Sequence, residues 1–447
     1  MKKIIYYGLL AFVIASAIII AGISVTSAKS ISPVIAESQQ KQNITLLVYT
    51  NRFNPPAGAK PLVDSAADKL RSNHPDLNVH VKFIDTDYNY TRDQMLKALT
   101  NGTSVDVVAL DQIWLGEFAQ KGLLADLSNY VMKWGRMPDW YQTNFAGGVY
   151  KGKIYGIWYE TDVRGIWYWK DLLNKAGVDP NSLKTWNGYI ASAKKLNSVL
   201  RPQGIEGVYL SDAKQSQDLW YPYLWMLGGD IVKQKSGHPS KGTYWFPAYN
   251  GTEGVKAMEF VKAQVDAGIK PQKNWYAGKE FANRNFSVMT EGSWLPSFLS
   301  KQQLGNVGFI PMFPVPDSSD QTTTLMGGWE FSIPKISPHK DLAWELISIM
   351  LEPSIISPWL AEQAYLPTQI TLGESTGPYT EQLRRSFPFY DQMISMIHDG
   401  RSRPSIPEYP VISDNIRQAL DEVEHGLKNP KQALQDAAEK SAKALGW

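Results

Sequence analysis

Residues 150–170, YKGKIYGIWYETDVRGIWYWK, decide how the rest of this chain is interpreted. Two short apolar runs rich in aromatic side chains flank three charged residues, Glu160, Asp162 and Arg164. In an extended segment alternate residues point the same way, so these three side chains are expected to share one face. The pattern fits a core strand pair with a polar loop. It equally fits a junction where two lobes meet around a polar ligand.

Length and composition exclude several classes of protein. The chain has 447 residues, 43% of them apolar, which predicts two domains with packed cores. Its net charge of +2 gives no electrostatic argument for a nucleic-acid partner. It has no Cys and six His, which excludes a thiol nucleophile and argues against a metal site. No phosphate-binding loop, zinc-protease motif or nucleophile elbow is present, so no cofactor is expected.

Aromatic residues are unusually frequent, with 16 Trp and 22 Tyr. Most of them are expected in the cores. A minority are expected to line a site for a ligand with flat apolar faces and hydroxyl edges, because rings pack on such faces while polar neighbours bind the hydroxyls. Sugars have this character.

The N-terminus predicts export. Lys2 and Lys3 precede an uncharged run over residues 4–28 that is long enough to span a bilayer. The basic start places the rest of the chain outside the cell. Residues 1–28 are therefore predicted to be a signal segment that stays as a membrane anchor, with cleavage near residue 28 as the alternative, and residues 29–42 to be a tether. Five N-x-[ST] sequons suit an extracytoplasmic surface: Asn43, Asn89, Asn101, Asn250 and Asn285.

Strand and helix patterns alternate in the first part of the chain. Strands are predicted at 43–49, 78–84 and 105–110, with helices at 64–72 and 91–100 between them. Such alternation is typical of an α/β fold with a parallel sheet covered by helices. Further helices are predicted at 171–176, 186–200, 219–227, 252–267, 342–351 and 413–445, and a strand at 306–316.

An ordered set of segments resembles the family 1 extracellular solute-binding proteins, which are the ligand-capturing subunits of ABC importers. The segments are SVDVVALDQIWLGEFAQKGLLADLS (104–128), YGIWYETDVRGIWYWKDLLNKAGVDPNSLKTW (155–186), LWMLGGD (224–230), FANRNFSVMTEGSW (281–294), TLMGGWEFSIPK (324–335), AWELISIML (343–351), AYLPT (364–368) and RPSIPEYPVI (403–412). The resemblance runs from residue 44 to the C-terminus. Within the family, the Gly-Gly-Trp and aromatic content is most similar to the maltose/trehalose-type sugar binders.

The resemblance implies a two-lobed, periplasmic-binding-protein-like α/β fold with a ligand cleft between the lobes. Lobe one would hold 43–158 plus 309–353, and lobe two 159–308 plus 354–447. The protein would capture a carbohydrate outside the cell by lobe closure and deliver it to a membrane permease with a cytoplasmic ATPase. It would catalyse no reaction and use no cofactor.

The expected ligand-binding residues combine charged and aromatic groups with one glycine. Carboxylates accept hydrogen bonds from hydroxyls and Arg donates several, whereas the Trp rings stack on a sugar. Asp111 follows a buried strand, where open sheets bind ligands, although a helix N-cap is an equally good role for it. The set is Asp111, Glu160, Asp162, Arg164, Trp225, Trp294, Gly328, Trp329, Glu330, Tyr365 and Arg403.

Several of these residues have a structural alternative. Arg164 would form an ion pair within a polar loop, Arg403 would tie down the C-terminal helices, and Trp225 would pack in a helical core. Trp158 stands where the family usually has proline, and no role is predicted for it. Two rival functions also stay open: an exported glycoside-acting enzyme, and the same fold binding a peptide, a polyamine or a metal chelate.

Overall fold

Two β-sheets organise the part of the chain that the computed structural model describes, which is residues 41–52, 58–213, 217–235, 245–273, 277–319 and 321–447. The predicted anchor at 1–28 and most of the predicted tether lie outside these residues. Within the described ranges, no helix is both long and apolar enough to cross a bilayer. Residues 42–447 form one compact unit.

Most strands are short. They are β1 (Gln42–Arg52), β2 (Leu77–Asp87), β3 (Val107–Asp111), β4 (Val149–Tyr150), β5 (Lys153–Ile154), β6 (Ile157–Asp162), β7 (Arg164–Trp169), β8 (Glu206–Val208), β9 (Leu210–Ser211), β10 (Val232–Gln234), β11 (Trp245–Pro247), β12 (Pro271–Gln272), β13 (Phe286–Gly292), β14 (Val307–Ile310), β15 (Thr324–Ser332) and β16 (Gly400–Ser402).

Helices cover both sheets. They are α1 (Lys60–Asn73), α2 (Tyr88–Thr100), α3 (Leu115–Gln120), α4 (Ser128–Trp134), α5 (Gln142–Gly147), α6 (Lys170–Ala176), α7 (Trp186–Leu200), α8 (Tyr221–Met226), α9 (Thr252–Asp266), α10 (Ala277–Ala282), α11 (Lys301–Asn306), α12 (Lys340–Met350), α13 (Pro353–Gln363), α14 (Ile370–Glu374), α15 (Pro378–Ser386), α16 (Tyr390–Ile397), α17 (Tyr409–Glu424) and α18 (Pro430–Ala444).

The larger sheet contains six strands. β1 pairs in parallel with β2 and with β3, and β15 runs antiparallel to β3. The other edge of β15 pairs first with β16 and then with β6. Every residue of β3 is buried, as expected for a strand with covered faces. The sheet is covered in part by α1, which packs against both β2 and α12.

The smaller sheet contains β14, β7, β13 and β8 in that order. β7 runs antiparallel to both of its neighbours, and β13 pairs in parallel with β8. α7 packs on β8, and α9 packs between α7, α8 and the C-terminal pair α17 and α18. Only Val163 separates the end of β6 in the larger sheet from the start of β7 in the smaller one.

Most of the helices predicted from periodicity are confirmed, including α7 with the same bounds. Two predictions differ from the structure. The strand expected at 306–316 ends at Ile310, where the chain turns into a Pro-containing segment. The helical stretch expected at 413–445 is two helices, because Gly426 adopts a φ of 68° and Asn429 caps a new helix by accepting from the Gln432 amide at 3.0 Å.

Trp158 is a packing residue. Its side chain is 1% exposed, and its carbonyl oxygen accepts hydrogen bonds from Trp140 Nε1 at 2.9 Å and Thr368 Oγ1 at 3.0 Å. Its ring lies against the backbone of Gly147 and Gly328, where a Cβ atom would approach the ring to 2.5 Å and 2.7 Å. Glycine at both positions therefore makes room for the indole.

Candidate ligand-binding site

The candidate site lies where the two sheets meet. Asp111 ends β3, Trp329 lies opposite it on β15, and Glu160 lies opposite Trp329 on β6. Opposed residues in an antiparallel pair project from the same face, so these three side chains share one face of the larger sheet. Arg164 begins β7, two residues after Asp162 ends β6. The local pairing thus brings together side chains from three strands that are distant in sequence.

A register shift between β6 and β15 decides which way Trp158 faces. Trp329 lies opposite Glu160 and Glu330 lies opposite Trp158, so that Tyr159 is an extra residue in β6. Glu330 follows Trp329 in β15 and therefore projects from the opposite face, where it is fully buried. Bulges of this kind commonly re-aim side chains beside binding sites. The extra residue turns Trp158 to the same face as Glu330, away from Glu160 and Trp329.

Two arginines and three aspartates form a chain of charges across the junction. Arg403 approaches Asp218 with Nη1 at 2.9 Å and Asp111 with Nη2 at 3.6 Å. Arg164 approaches the same Oδ2 of Asp218 at 3.3 Å, and Asp162 at 3.6 Å through Nε. Side-chain exposures in this chain are between 6% and 14%. Asp218 is therefore the shared partner of both guanidinium groups.

The electrostatic environment shifts the pKa values of the three aspartates in different directions. Burial acts to raise the pKa of Asp218, but Arg403 and Arg164 together outweigh it, and the pKa is lowered. For Asp111, burial is the larger influence and raises the pKa, although Arg403 and Tyr88 oppose it. Asp162 behaves in the same way, with burial raising its pKa against Arg164 and Arg403. Asp218 is thus the carboxylate held most firmly in its ionised form.

Glu160 is the least compensated carboxyl group of the site. Glu160 is 1% exposed, and neither of its carboxyl oxygens makes a hydrogen bond of normal geometry within the described residues. Burial raises its pKa well above the ordinary value, Asp162 and Asp111 add to the rise, and the nearby Trp329 backbone amide opposes it. No cationic side chain acts on this group among those causes. An isolated buried carboxyl is costly unless something neutralises it.

Three aromatic rings form a wall beside these carboxylates. Tyr88 stacks on Trp114 with 5.7 Å between ring centroids, and the ring of Trp329 meets both edge-on at 5.9 Å and 5.6 Å. The Tyr88 hydroxyl donates to Asp111 Oδ2 at 2.9 Å. Asp111 also caps the turn that follows β3, because its Oδ1 accepts from the Ile113 amide at 3.3 Å. Both roles proposed for Asp111 are therefore compatible.

Trp294 belongs to the same region. The Arg164 guanidinium lies over its ring, 5.3 Å from the centroid. The ring folds back over Gly292, where a Cβ atom would approach it to 2.3 Å. The structure therefore brings together Asp111, Glu160, Asp162, Arg164, Trp294, Trp329 and Arg403 from the predicted set.

The remaining predicted residues lie around this centre with other neighbours. Trp225 is 5% exposed, stacks on Tyr221 and has the Arg401 guanidinium 5.0 Å from its ring. Tyr365 stacks on Trp359 at 5.7 Å.

Gly328 makes a close backbone approach. A Cβ atom there would lie 2.5 Å from the Glu160 carbonyl oxygen. Its contribution is to let β15 and β6 approach each other, and not to offer a contacting side chain.

The predicted site set did not include Tyr88, Asp218 or Trp114, whose ring contacts Tyr88 and Trp329. Tyr88 and Asp218 stand in segments without a distinguishing motif, and Asp218 meets Arg403 across 185 positions of sequence. Such long-range pairs leave no local pattern. A signal was available only for Trp114, which follows Asp111 by less than one helical turn.

Comparison with known proteins agrees with this architecture. A binding protein of Brucella abortus is 24% identical over 366 residues, which are 78% of this chain and 82% of that protein. The acarbose-binding GacH receptor of Streptomyces glaucescens superposes with a TM-score of 0.74 at 20% identity, covering 91% of this chain and 99% of that one. Maltose-bound MalE3 of T. maritima superposes with a TM-score of 0.74 at 21% identity, covering 89% of this chain and 98% of that one. These likenesses establish the two-lobed α/β fold that the sequence predicted.

A family model provides the assignment. The model for bacterial extracellular solute-binding proteins matches residues 56–355, a span that includes β3, β6, β7 and β15 with the side chains they bring together. The chain thus belongs to the family of bacterial extracellular solute-binding proteins.

Proposed function

We propose that this protein is the extracytoplasmic subunit of an ABC importer that captures a carbohydrate and presents it to a membrane permease. One observation carries the proposal: a wall of three aromatic rings stands beside buried carboxylates and guanidinium groups at the junction of the two sheets. A sugar ring has apolar faces for such a wall and hydroxyl groups for the charged side chains. Acarbose and maltose, bound by two proteins of similar fold, have this chemistry.

Binding would be coupled to closure of the lobes. The larger sheet contributes Asp111 and Trp329, and Arg164 on the smaller sheet carries its guanidinium over Trp294. A ligand that contacts both groups of residues binds the closed arrangement more tightly than an open one, and this difference shifts the population. No bond is made or broken in this proposal. The predicted lobe boundaries near residues 158 and 308 and after residue 353 remain part of it, although the pairing continues the larger sheet to Asp162 and the smaller sheet to Ile310.

Anchoring of the protein is a separate part of the proposal. The uncharged run over residues 4–28 would keep the protein at the outer face of the membrane, with the ligand-binding unit outside. Intact-mass spectrometry of the protein extracted from membranes tests this: retention of residues 1–28 supports the anchor, whereas a mature N-terminus near residue 29 means that the segment is a cleaved signal.

The ligand is tested by calorimetric titration of the purified protein with mono- and oligosaccharides. We expect at least one sugar to bind, and Trp329→Leu to weaken that binding by at least about ten-fold, or 1.4 kcal/mol. Trp344→Leu is the matched control. That ring contacts Trp134 and Tyr130 in the helical layer away from the site, so affinity should be unchanged. Binding of no sugar contradicts the proposal, and turnover of a bound oligosaccharide would favour the enzyme alternative.

A further inference from the structure

The charged side chains of the site are not balanced. Two guanidinium groups, Arg164 and Arg403, face the carboxyl groups of Asp111, Glu160, Asp162 and Asp218, and Asp218 is the closest partner of both, while Arg164 also acts on Glu291. Asp111 and Asp162 each lie 3.6 Å from one arginine, a distance beyond a normal hydrogen bond. Glu160, the fourth carboxyl group, has no arginine or lysine partner within the described residues. The site therefore holds an excess of acidic groups in a place with little access to water.

Several polar atoms of the site also lack a hydrogen-bond partner within the described residues. They include both carboxyl oxygens of Glu160, Oδ1 of Asp162, and the Nε atoms of Arg164 and Arg403. These residues are between 1% and 8% exposed. Buried polar atoms are almost always hydrogen-bonded, so a cluster of exceptions that faces one place indicates a missing polar ligand. The unsatisfied acceptors are concentrated on Glu160 and Asp162.

The chemistry of the missing ligand follows from what these groups lack. Hydroxyl groups of a neutral sugar would satisfy the hydrogen bonds but leave Glu160 neutralised only by its own raised pKa, and the three aspartates with only two arginines as counter-charges. A protonated amine offers three N–H donors together with the opposite charge. Asp111, Asp162 and Glu160 interact electrostatically with one another, and Asp111 and Glu160 lie opposite the same residue of β15. The ring of Trp329, opposite both Asp111 and Glu160 in the sheet, offers a surface for the carbon skeleton that bears the amine.

We propose that the ligand is an amino sugar, whose ammonium group lies among Glu160, Asp162 and Asp111 while its ring packs against Trp329. This inference rests on the proposed function, because it assumes that the cleft binds a sugar. It narrows the ligand class from carbohydrates in general to carbohydrates that carry a protonatable nitrogen. The remaining hydroxyl groups would be bound by Arg164 and Arg403, whose unsatisfied Nε–H groups are donors.

The test compares matched sugars by isothermal titration calorimetry on the purified full-length protein. The pairs are glucosamine with glucose, galactosamine with galactose, and the chitosan disaccharide with cellobiose. In each pair of which one member binds, we expect the amino sugar to bind at least about ten-fold more tightly. N-acetylglucosamine has the same nitrogen without its charge, and it should bind more weakly than glucosamine.

Glu160→Gln keeps the shape of the side chain and removes its charge. We expect it to lower the preference for the amino member of a pair by at least about five-fold. Glu424→Gln is the matched control, because Glu424 is a buried carboxyl group that accepts from the Ala213 amide and forms no ion pair with Arg164 or Arg403. It should leave the preference unchanged. Circular dichroism and thermal unfolding of both variants verify that they are folded.

The outcomes separate the two levels of the proposal. Equal or tighter binding of the neutral sugars, or of N-acetylglucosamine, overturns the amino-sugar inference and leaves the proposed function standing. Binding only of neutral sugars outside these pairs also overturns the amino-sugar inference, whereas binding of no sugar, in these pairs or in the wider panel of mono- and oligosaccharides, overturns the proposed function itself. If putrescine or spermidine binds more tightly than any amino sugar, the ligand is not a sugar. Only the inference that the site binds a cation is then retained. An unchanged preference in Glu160→Gln also overturns the inference, because that carboxyl group would then not recognise the amine.

Discussion

Asp218 holds two buried guanidinium groups at once, through a single carboxylate oxygen. Replacing it by Asn leaves Arg164 and Arg403 without their common counter-charge in a poorly hydrated place. Removal of one partner from a buried ion pair typically costs 3–5 kcal/mol. We expect Asp218→Asn to lower the free energy of unfolding by about 3 kcal/mol, measured by urea denaturation.

The control for that substitution is Asp414→Asn. Asp414 pairs with Arg417 on the surface of α17, and its side chain is 67% exposed, so solvent screens the pair. Its loss should change stability little. Equal effects of the two substitutions would mean that the Asp218 carboxylate is not a structural centre of the site.

Glu424 gives a pH dependence whose direction is fixed by burial. Burial, helped by Asp212, raises its pKa to about 8 against the Ala213 amide that binds it. The folded protein therefore holds this proton more firmly than the unfolded chain, and the contribution to stability is complete below the unfolded pKa of about 4.5 and is lost as the pH rises towards 8.

We expect the Glu424→Gln variant to lose less stability than the wild type between pH 5 and pH 8, because Gln does not titrate. Urea midpoints at intervals across this range measure the difference, and parallel curves would contradict the shifted pKa.

At the scale of elements, the close approach of β15 and β6 depends on Gly328. A methyl group there would lie 2.5 Å from the Glu160 carbonyl oxygen and 2.7 Å from the Trp158 ring. We expect Gly328→Ala to lower the free energy of unfolding by about 1–3 kcal/mol, as overpacking does. Ligand affinity should fall as well, since Glu160 is displaced. Thermal unfolding and calorimetric titration measure the two effects.

Gly305→Ala provides the control for Gly328→Ala. Gly305 lies in α11, and a Cβ atom there meets no atom within 4 Å. This substitution should leave stability unchanged or raise it slightly, because alanine favours the helix. A loss as large as that of Gly328→Ala would show that the close strand contact is not the cause.

Elements were the level at which sequence reasoning worked best. The bounds of α7 and the start of α9 follow from periodicity and from turn residues that act within a few positions of the chain. The elements between residues 353 and 402 were not predicted, and β15 was recognised only as a family segment. Their positions depend on partners far away in sequence, as with β15, which pairs with residues near 110 and near 160.

The same distinction applies to the site. Glu160, Asp162 and Arg164 were predictable, because their alternation in one short segment is a local pattern. The face on which Trp158 lies was not, because it is decided by the extra residue Tyr159, which shifts the register between β6 and β15. Asp218 and Tyr88 were not predictable for the same reason, since only folding brings them to Arg403 and Asp111.

For the whole molecule, Arg403 connects the larger sheet with the helical layer around α9. It reaches Asp111 on the larger sheet and Asp218, which precedes α8 in the helical layer around α9. We expect Arg403→Met to weaken this connection and to increase the radius of gyration of the ligand-free protein in small-angle X-ray scattering. Arg417→Met, on the exposed surface of α17, is the control. No difference between the two variants would mean that this arginine does not hold the lobes together.

The one-residue link at Val163 has a geometric consequence. If one lobe turns relative to the other at this crossing, the pivot lies inside the site, and the flanking side chains of Asp162 and Arg164 sit almost on the axis. Rotation displaces an atom in proportion to its distance from the axis. Asp162 and Arg164 therefore keep nearly constant geometry while the far rims of the lobes sweep the longest arcs. Small movements of the residues around a ligand therefore correspond to large displacements at the surface of the lobes.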